Sequence, residues 1–410
     1  MPRHTRNVTI AALLTLASTM AFSPSAYAGD LFTIEQTLSP SAREYLAWTV
    51  RIDTAQLRTG NPITLPIPGA YLDATAERVE RRDGDDLTWR GRTRAGGQVL
   101  LTTKGDAVYG LAYDGPDTYE IVPTAGGQVL RHVHEDTPCG TADAPSASAK
   151  AARAPIAEKS ESAGTTELRA LYLYTDAVEL QAGGPDEVHA MVQGAVDQLN
   201  ATFANSLMDI HTTLVGVRKV DFTETGDLTD DLTAIRNDPT AIALRTQYQA
   251  NYVGLFVSQS DYWCGYSYVM REPGPDFAPN AFHVTWTECT YTDQHEVGHT
   301  LGFEHDPDTT SVSPSIASFP YSFGHRTESQ YRTVMSYSCS SSPCFGIPYF
   351  SNPDITFDGW QTGLADQRDN ARTGRQTAPI VAQFYYDPTT PLFQDGFEDG
   401  TLGSWSFVSE

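Results

Sequence analysis

The stretch from His295 to Asp306 reads His-Glu-Val-Gly-His-Thr-Leu-Gly-Phe-Glu-His-Asp, so three histidines stand close together in the chain. Residues four apart lie one turn apart on the same face of an α-helix, and His295 and His299 can therefore present two ring nitrogens to one metal ion. Gly302 follows three residues later, where glycine can adopt a positive φ, end the helix and turn the chain so that His305 reaches the same ion. The spacing predicts a helix that ends in a sharp turn at a metal site.

Three neutral nitrogen ligands and one open position are typical of a catalytic zinc ion, whereas structural zinc sites are closed by four protein ligands. Glu296 stands next to the first ligand, where it can act as the base for a zinc-bound water. With ten His in 410 residues, H-E-x-x-H arises by shuffling in roughly one such chain per hundred, and the added Gly and third His lower this to roughly a few per hundred thousand. The pattern predicts one catalytic Zn2+ bound by His295, His299 and His305.

The extended motif resembles that of the metzincin zinc endopeptidases, and Thr333–Tyr337 is similar to the Met-turn beneath the metal in that clan. The resemblance implies that Met335 supports the site. It implies that Tyr337, as in the astacin and serralysin branches, ligates zinc or stabilises the transition state; the alternative for this residue is simple packing. Asp306 and the segment after the Met-turn resemble the reprolysin (adamalysin) branch and its bacterial members, where the acid braces local structure without binding zinc. The likeness covers about residues 167–387.

Apolar patterns outline the fold of this region. A buried strand is predicted from Leu168 to Tyr174, and a long helix from Asp186 to Ser206. Further strands are expected at 212–220, 252–258 and 281–286, and helical segments at 230–249 and 370–386, the last interrupted by Pro379. Strands that alternate with helices indicate an α/β layer. With the resemblance, this implies an α/β (α+β) metzincin-like fold, with a mixed twisted sheet and an active-site helix above an irregular C-terminal half.

The whole chain divides into five expected parts. Residues 1–28 have the basic start, apolar run and small-residue end of a cleavable signal peptide. Residues 29–140 alternate like strands and are expected to form a small β-rich propeptide, and 141–166 a flexible linker that holds the activating cleavage. The metallopeptidase domain is expected at 167–387 and a C-terminal tail at 388–410. We therefore expect a secreted, extracellular protein without a membrane anchor.

Five cysteines carry further information. Cys264, Cys289, Cys339 and Cys344 lie in the catalytic region, and an even number in an exported protein suggests two disulfides. Three pairings are open, of which Cys264 with Cys289 and Cys339 with Cys344 is preferred. Cys139 is left over in a Pro-Cys-Gly sequence that resembles the cysteine switch of metzincin propeptides. Its thiolate could fill the fourth zinc position and latch the precursor; the alternative is an incidental or intermolecular cysteine.

The charge of the chain limits its partners. A net charge of −24 and a pI near 4.6 disfavour nucleic acid and anionic membranes, because both select for clustered Lys and Arg. An acidic surface could accommodate Ca2+, but no loop with recognisable ligand spacing indicates such a site. We predict a monomer whose partners are protein or peptide substrates and its own propeptide as inhibitor.

Taken together, these patterns predict a secreted zinc metalloendopeptidase, a hydrolase that is made as a zymogen and uses Glu296 as general base. The alternative is a secreted zinc-containing binding or adhesion protein that kept the metzincin scaffold and cleaves nothing. Loss of the base or of a ligand would favour that alternative, but Glu296 and all three histidines are present.

Overall fold

The structure is a computed structural model of the protein. It describes residues 29–41, 43–84, 86–133, 139–144, 164–339 and 344–385. The expected signal peptide, most of the expected linker and the C-terminal tail lie outside the described residues.

Nine antiparallel strands form the N-terminal unit, as its alternating pattern predicts. The third strand buries Ile63, Leu65 and Ile67 and leaves the residues between them partly exposed, which is the pattern of a strand with one face on a core. At the two edges of the sheet, the amide of Leu31 donates to the carbonyl of Thr64 at 2.8 Å, so the sheet curls until its edges meet. Its elements are β1 Phe32–Leu38, β2 Glu44–Ile52, α1 Ala55–Arg58, β3 Ile63–Ile67, β4 Ala70–Arg81, β5 Leu87–Thr93, β6 Gln98–Lys104, β7 Ala107–Asp114, β8 Asp117–Thr124 and β9 Gly127–Val133.

A second, mixed sheet has six strands in the order β10-β14-β15-β13-β11-β12. Its strands are β10 Cys139–Asp143, β11 Thr166–Tyr174, β12 Ile210–Lys219, β13 Tyr252–Val257, β14 Gly265–Val269 and β15 Phe282–Trp286. Strand β14 is antiparallel to β15, and β10 runs parallel to β14 with Cys139 opposite Gly265. The expected linker therefore begins too early: residues 141–143 belong to the edge strand, because their backbone pairs with β14.

Helices cover the second sheet. They are α2 Asp176–Ala182, α3 Pro185–Asn205, α4 Leu228–Asn237, α5 Pro239–Tyr248, α6 Thr292–Thr300 and α7 Asn370–Val381, with a 3₁₀ turn at Pro275–Asn280. The single helical segment expected at 230–249 is two helices. Asp238 ends α4, and its side chain caps α5 by accepting from the amide of Ala241 at 2.8 Å. Pro379 lies inside α7, which ends two residues later at Val381. No helix among the described residues is long and apolar enough to cross a membrane.

Helix α3 lies between the two sheets and joins their cores. Its one side packs on β12 and α6, and its other side on β6 and β7 of the N-terminal unit. A Cβ atom at Gly194, in the middle of α3, would collide with the ring of Tyr109 on β7. Glycine at this position therefore lets the N-terminal sheet approach the helix closely, and Tyr109 and Leu111 join one apolar core with Met191 and Ala195.

Beyond α6 the chain is mostly irregular, as predicted, and the whole is an α+β fold. Its short strands are β16 Arg326–Thr327, β17 Tyr331–Arg332, β18 Phe345–Gly346, β19 Thr356–Phe357 and β20 Trp360–Gln361. The structure forms the preferred disulfides, Cys264–Cys289 and Cys339–Cys344. The first ties the residue before β14 to the segment before α6, while Cys139 is free and buried.

Candidate metal centre

The three motif histidines converge on one point. Helix α6 carries His295 and His299 on successive turns and ends at Thr300. Gly302 then adopts a φ of +83°, and a Cβ there would lie 2.8 Å from the carbonyl oxygen of Met270, so glycine is required at this turn. The turn brings His305 back to the helix. The Nε2 atom of His295 lies 3.0 Å from those of His299 and His305, which are 3.1 Å from each other.

The hydrogen bonds of two of the rings indicate that this cluster fits a cation. The Nδ1 atom of His295 lies 2.8 Å from the carbonyl oxygen of Val334, and that of His299 lies 2.7 Å from the carbonyl oxygen of Phe303. A carbonyl only accepts, so each neutral ring carries its proton on Nδ1 and directs a lone pair from Nε2. Lone pairs that face one another repel unless a cation lies between them. Tetrahedral zinc with Zn–N bonds near 2.05 Å would separate such atoms by about 3.3 Å, close to the observed spacing.

Burial keeps these rings neutral. All three histidines are buried, and burial lowers the pKa of His295 to about 4. For His299 and His305, burial likewise lowers the pKa well below its usual range, and the neighbouring rings lower it further. Neutral imidazole is the form that binds zinc, so the environment favours the metal-binding state.

Glu296 directs its carboxylate to the same place from the next position on α6. A carboxylate oxygen of Glu296, a ring nitrogen of His295 and the sulfur of Cys139 all lie within 4.8 Å of one another. The hydroxyl of Ser267 on β14 donates to the carboxylate. A Cβ at Gly265 would collide with it, so glycine there leaves the space that the carboxylate occupies. Burial raises the pKa of Glu296 to about 8, although the bond from Ser267 opposes this.

Cys139 and Tyr337 meet beside the histidine cluster. The phenol of Tyr337 donates to the backbone carbonyl of Cys139, and its ring centre lies 4.5 Å from that of His305. Burial raises the pKa of the Cys139 thiol well above its usual range, and the nearby charge of Glu296 raises it further. The thiol therefore stays protonated unless a cation at the histidines stabilises the thiolate.

Asp306 and Met335 support the site from behind. The carboxylate of Asp306 accepts from the backbone amide of Tyr337 at 3.1 Å and from the hydroxyl of Thr309 at 2.7 Å, so it ties the third histidine to the Met-turn. Met335 is fully buried, and its sulfur would lie 2.5 Å from a Cβ at Gly298. Both residues hold the backbone around the histidines, and neither belongs to the cluster that could bind a metal.

Three residues near the site were not foreseen from sequence. Ser267 and Gly265 on β14 shape the position of the Glu296 carboxylate, and Arg332 on β17 lines the space beside His295. None of them stands at a recognisable spacing from the zinc motif. Only the pairing of β14 with β15, which brings β14 under α6, places the first two there.

The chain is similar to known metallopeptidases. Residues 165–351 match the family model described as metallo-peptidase family M12, of the reprolysin type. Peptidyl-Asp metalloendopeptidases of Stenotrophomonas maltophilia and Xanthomonas campestris are each 28% identical to the chain. The first match spans 82% of this chain and 85% of the relative, and the second 84% and 87%. Metalloproteinase-II from Bacteroides fragilis superposes with a TM-score of 0.40 at 10% identity, over 65% of this chain and 89% of that one.

The family match includes α6, the turn at Gly302 and the Met-turn, which together surround the converging histidines. The two relatives extend the likeness over most of the chain. The match to M12 peptidases implies a zinc ion, and the three converging histidine nitrogens fit one. The chain is therefore a zinc metalloendopeptidase, and its residues 165–351 resemble the metzincin-type zinc metallopeptidases.

Proposed function

We propose that the protein is exported as a zymogen, and that its mature form cleaves peptide bonds next to Asp with Glu296 as general base. The observation that carries this proposal is the cluster in which Glu296, His295 and Cys139 direct their reactive atoms to one point within 4.8 Å. A base, a metal ligand and a thiol from the preceding segment share a single site.

The chain's own residues divide the hydrolytic work. His295, His299 and His305 would hold zinc, which when bound lowers the pKa of water and polarises the scissile carbonyl. The Glu296 carboxylate takes a proton from the attacking water and delivers it to the leaving amine. The hydroxyl of Ser267 orients this carboxylate, and the phenol of Tyr337, freed from Cys139, can donate to the developing oxyanion.

The precursor is silenced by strand β10. This strand holds the edge of the mixed sheet next to β14, where an extended substrate would otherwise add as a further strand. Its first residue, Cys139, directs a sulfur toward His295 and Glu296 and engages Tyr337 through its carbonyl. One strand therefore occupies the substrate edge, places a sulfur beside His295 and Glu296, and engages the phenol of Tyr337.

Release of this strand requires a cut in the chain. Asp143 ends β10 and Thr166 begins β11, so the activating cleavage lies between these residues. The features of residues 1–28 support export, and the two disulfides fit an oxidising environment. The preference for Asp follows the names of the two relatives, which are peptidyl-Asp metalloendopeptidases.

The test compares linker-cut wild type with Glu296→Gln, measuring bound zinc and hydrolysis of casein and of Asp-containing peptides. We expect Glu296→Gln to keep its zinc and to lose about 10²- to 10⁴-fold in kcat, the usual contribution of a general base. Glu272→Gln removes an exposed carboxylate outside the site and should behave as wild type. Full activity of Glu296→Gln would contradict the assigned role. Wild type that binds zinc and cleaves nothing would instead favour a binding protein.

A further inference from the structure

A small cavity adjoins the metal centre. It lies between the start of α6 and the segment that contains β17, the Met-turn and β18. His295 and Tyr337 form its side toward the metal, and Arg332 of β17 contributes to its lining. A substrate side chain next to the scissile bond would reach this cavity, because its walls include His295, which would hold zinc, and Tyr337.

Arg332 is held firmly in this cavity. Strand β17 pairs on both sides, with Arg332 opposite Arg326 of β16 and Gly346 of β18. Its carbonyl accepts from the amide of Ile347 at 2.9 Å, and its guanidinium Nη1 donates to the carbonyl of Ser336 at 3.0 Å. The residue is 7% exposed. The guanidinium is therefore pre-positioned, and little side-chain entropy remains to be lost when it binds a ligand.

The charge of Arg332 acts on two groups of the site, His295 and Cys139. Burial is the main cause that lowers the pKa of His295, and the positive charge of Arg332 lowers it as well. The same charge acts on the Cys139 thiol, where it opposes the increase in pKa that burial and Glu296 produce. The chain as a whole carries a net charge of −24 and repels anions. The positive charge of Arg332 in this cavity therefore attracts an acidic group that reaches the metal centre, although the rest of the chain repels it.

We propose that Arg332 is the specificity-determining residue, whose guanidinium binds the carboxylate of a substrate Asp beside the scissile bond. This inference rests on the proposed cleavage next to Asp. The planar guanidinium matches a carboxylate with parallel N–H donors, and such charge-assisted bonds are strong in a buried site. The same interaction holds the neighbouring peptide bond in register with the metal.

The experiment uses the linker-cut enzyme and peptides that differ at one position, with Asp, Asn or Glu on either side of the scissile bond. Wild type should prefer Asp to Asn in kcat/KM. Arg332→Met should lower kcat/KM for the Asp peptide by about 10- to 100-fold, the range for a hydrogen bond to a charged group, while the Asn peptide is hydrolysed nearly as before. Arg332→Lys keeps the charge and should retain part of the preference.

Arg368→Met is the matched control. Its guanidinium lies 3.4 Å from Asp308 and does not line the cavity, so the Asp-to-Asn ratio should stay that of wild type. Zinc content and thermal unfolding establish that each variant is folded. If Arg332→Met does not fold, Arg332→Lys replaces it in the comparison. Equal losses on both peptides, or an unchanged ratio in both Arg332 variants, overturn the inference. If wild type hydrolyses Asp and Asn peptides equally, the inference about Arg332 is overturned but the peptidase activity stands. If wild type is inactive on every peptide, the proposed function is overturned as well.

Discussion

At the scale of single residues, the proposed latch at Cys139 can be tested directly. Its sulfur lies beside His295 and Glu296, and only 2% of the residue is exposed. Cys139→Ser keeps the shape of the side chain and removes the thiolate. Each loss of about 1.4 kcal/mol from the latch raises the open fraction tenfold, so we expect measurable peptide hydrolysis by the uncut precursor.

The measurement is peptide hydrolysis by precursor whose intact length is checked on a gel. Thr141→Ser changes the same strand two residues away and should leave the precursor silent. If Cys139→Ser stays as inactive as wild type until the linker is cut, the sulfur is not the latch.

The burial of the histidines predicts how stability and zinc binding change as the pH falls. Burial lowers the pKa of His295 from 6.5 to about 4 in the folded chain. Between these values the unfolded chain binds more protons, so the contribution of His295 to stability is full above pH 6.5 and is lost as the pH falls toward 4. Metal is lost in the same direction, because protonated imidazole does not bind zinc.

This prediction is checked by urea unfolding and zinc content at stepped pH. The pKa of Glu296 is raised to about 8, so this carboxyl contributes a pH dependence of the opposite sign. The comparison is therefore between wild type and His295→Gln, whose difference isolates the histidine. A difference that does not change between pH 6.5 and 4 would refute the assignment.

The residues of the site differ in how far sequence could predict them. His295, Glu296, His299 and His305 stand within eleven consecutive positions, where helix geometry and the turn at Gly302 bring the ring nitrogens together. Ser267, Gly265 and Arg332 reach the site only through strand pairing across long chain separations, which local spacing does not encode. Sequence therefore predicts the ligands of the site well, but it does not predict these surrounding residues.

At the scale of elements, the contact between α6 and the Met-turn sets how precisely the ligands are held. A Cβ at Gly298 would lie 2.5 Å from the sulfur of Met335, which is fully buried and cannot retreat freely. We expect Gly298→Ala to overpack this contact, lower the free energy of unfolding by about 1–3 kcal/mol and weaken zinc binding. Urea unfolding and zinc titration of the linker-cut enzyme measure both effects.

Gly274→Ala is the control for this substitution, since a Cβ there meets no atom within 4 Å. It should leave zinc affinity unchanged. If Gly298→Ala and wild type have equal zinc affinity and stability, the Met335 side chain can move away from the added Cβ without disturbing the site.

The elements also separate into those that local pattern predicts and those it does not. The helix expected at 186–206 appears as α3, and the strand expected at 168–174 as β11, because each has a strong apolar period. The break at Asp238 was missed, although a capping Asp followed by proline at 239 was a readable signal. Strand β10 was not predicted, because a five-residue edge strand is defined by its partner, not by its own sequence.

At the scale of the whole molecule, a buried ionic cluster connects the N-terminal unit to the enzyme. Arg131 of β9 donates to Glu120 of its own sheet at 2.7 Å and to Glu288, just before α6, at 2.6 Å. The hydroxyl of Thr290 donates to Glu120 at 3.2 Å. These groups form specific links between the two units beside the apolar packing on α3.

We expect Arg131→Met to weaken this interface strongly. It would leave Glu120 and Glu288 without their guanidinium partner, and breaking one side of a buried pair costs about 3–5 kcal/mol. After the linker is cut, the two fragments should therefore separate much sooner than in wild type, as followed by size-exclusion chromatography. Arg51→Met removes an exposed arginine that pairs with Glu35 inside the same sheet and should not change the lifetime of the complex. Equal lifetimes for Arg131→Met and Arg51→Met would show that the cluster does not hold the units together.

Inhibition by strand β10, as proposed above, would act from within the same chain and would make the cut precursor sensitive to dilution. While residues 144–165 are intact, β10 meets the enzyme edge at an effective concentration of the millimolar order typical of short tethers. After cleavage, that value is replaced by the actual concentration of the released fragment. A cut molecule would remain silent where the protein is crowded at its point of release, and would become active as it disperses. The distance from the producing cell would then determine where proteolysis begins.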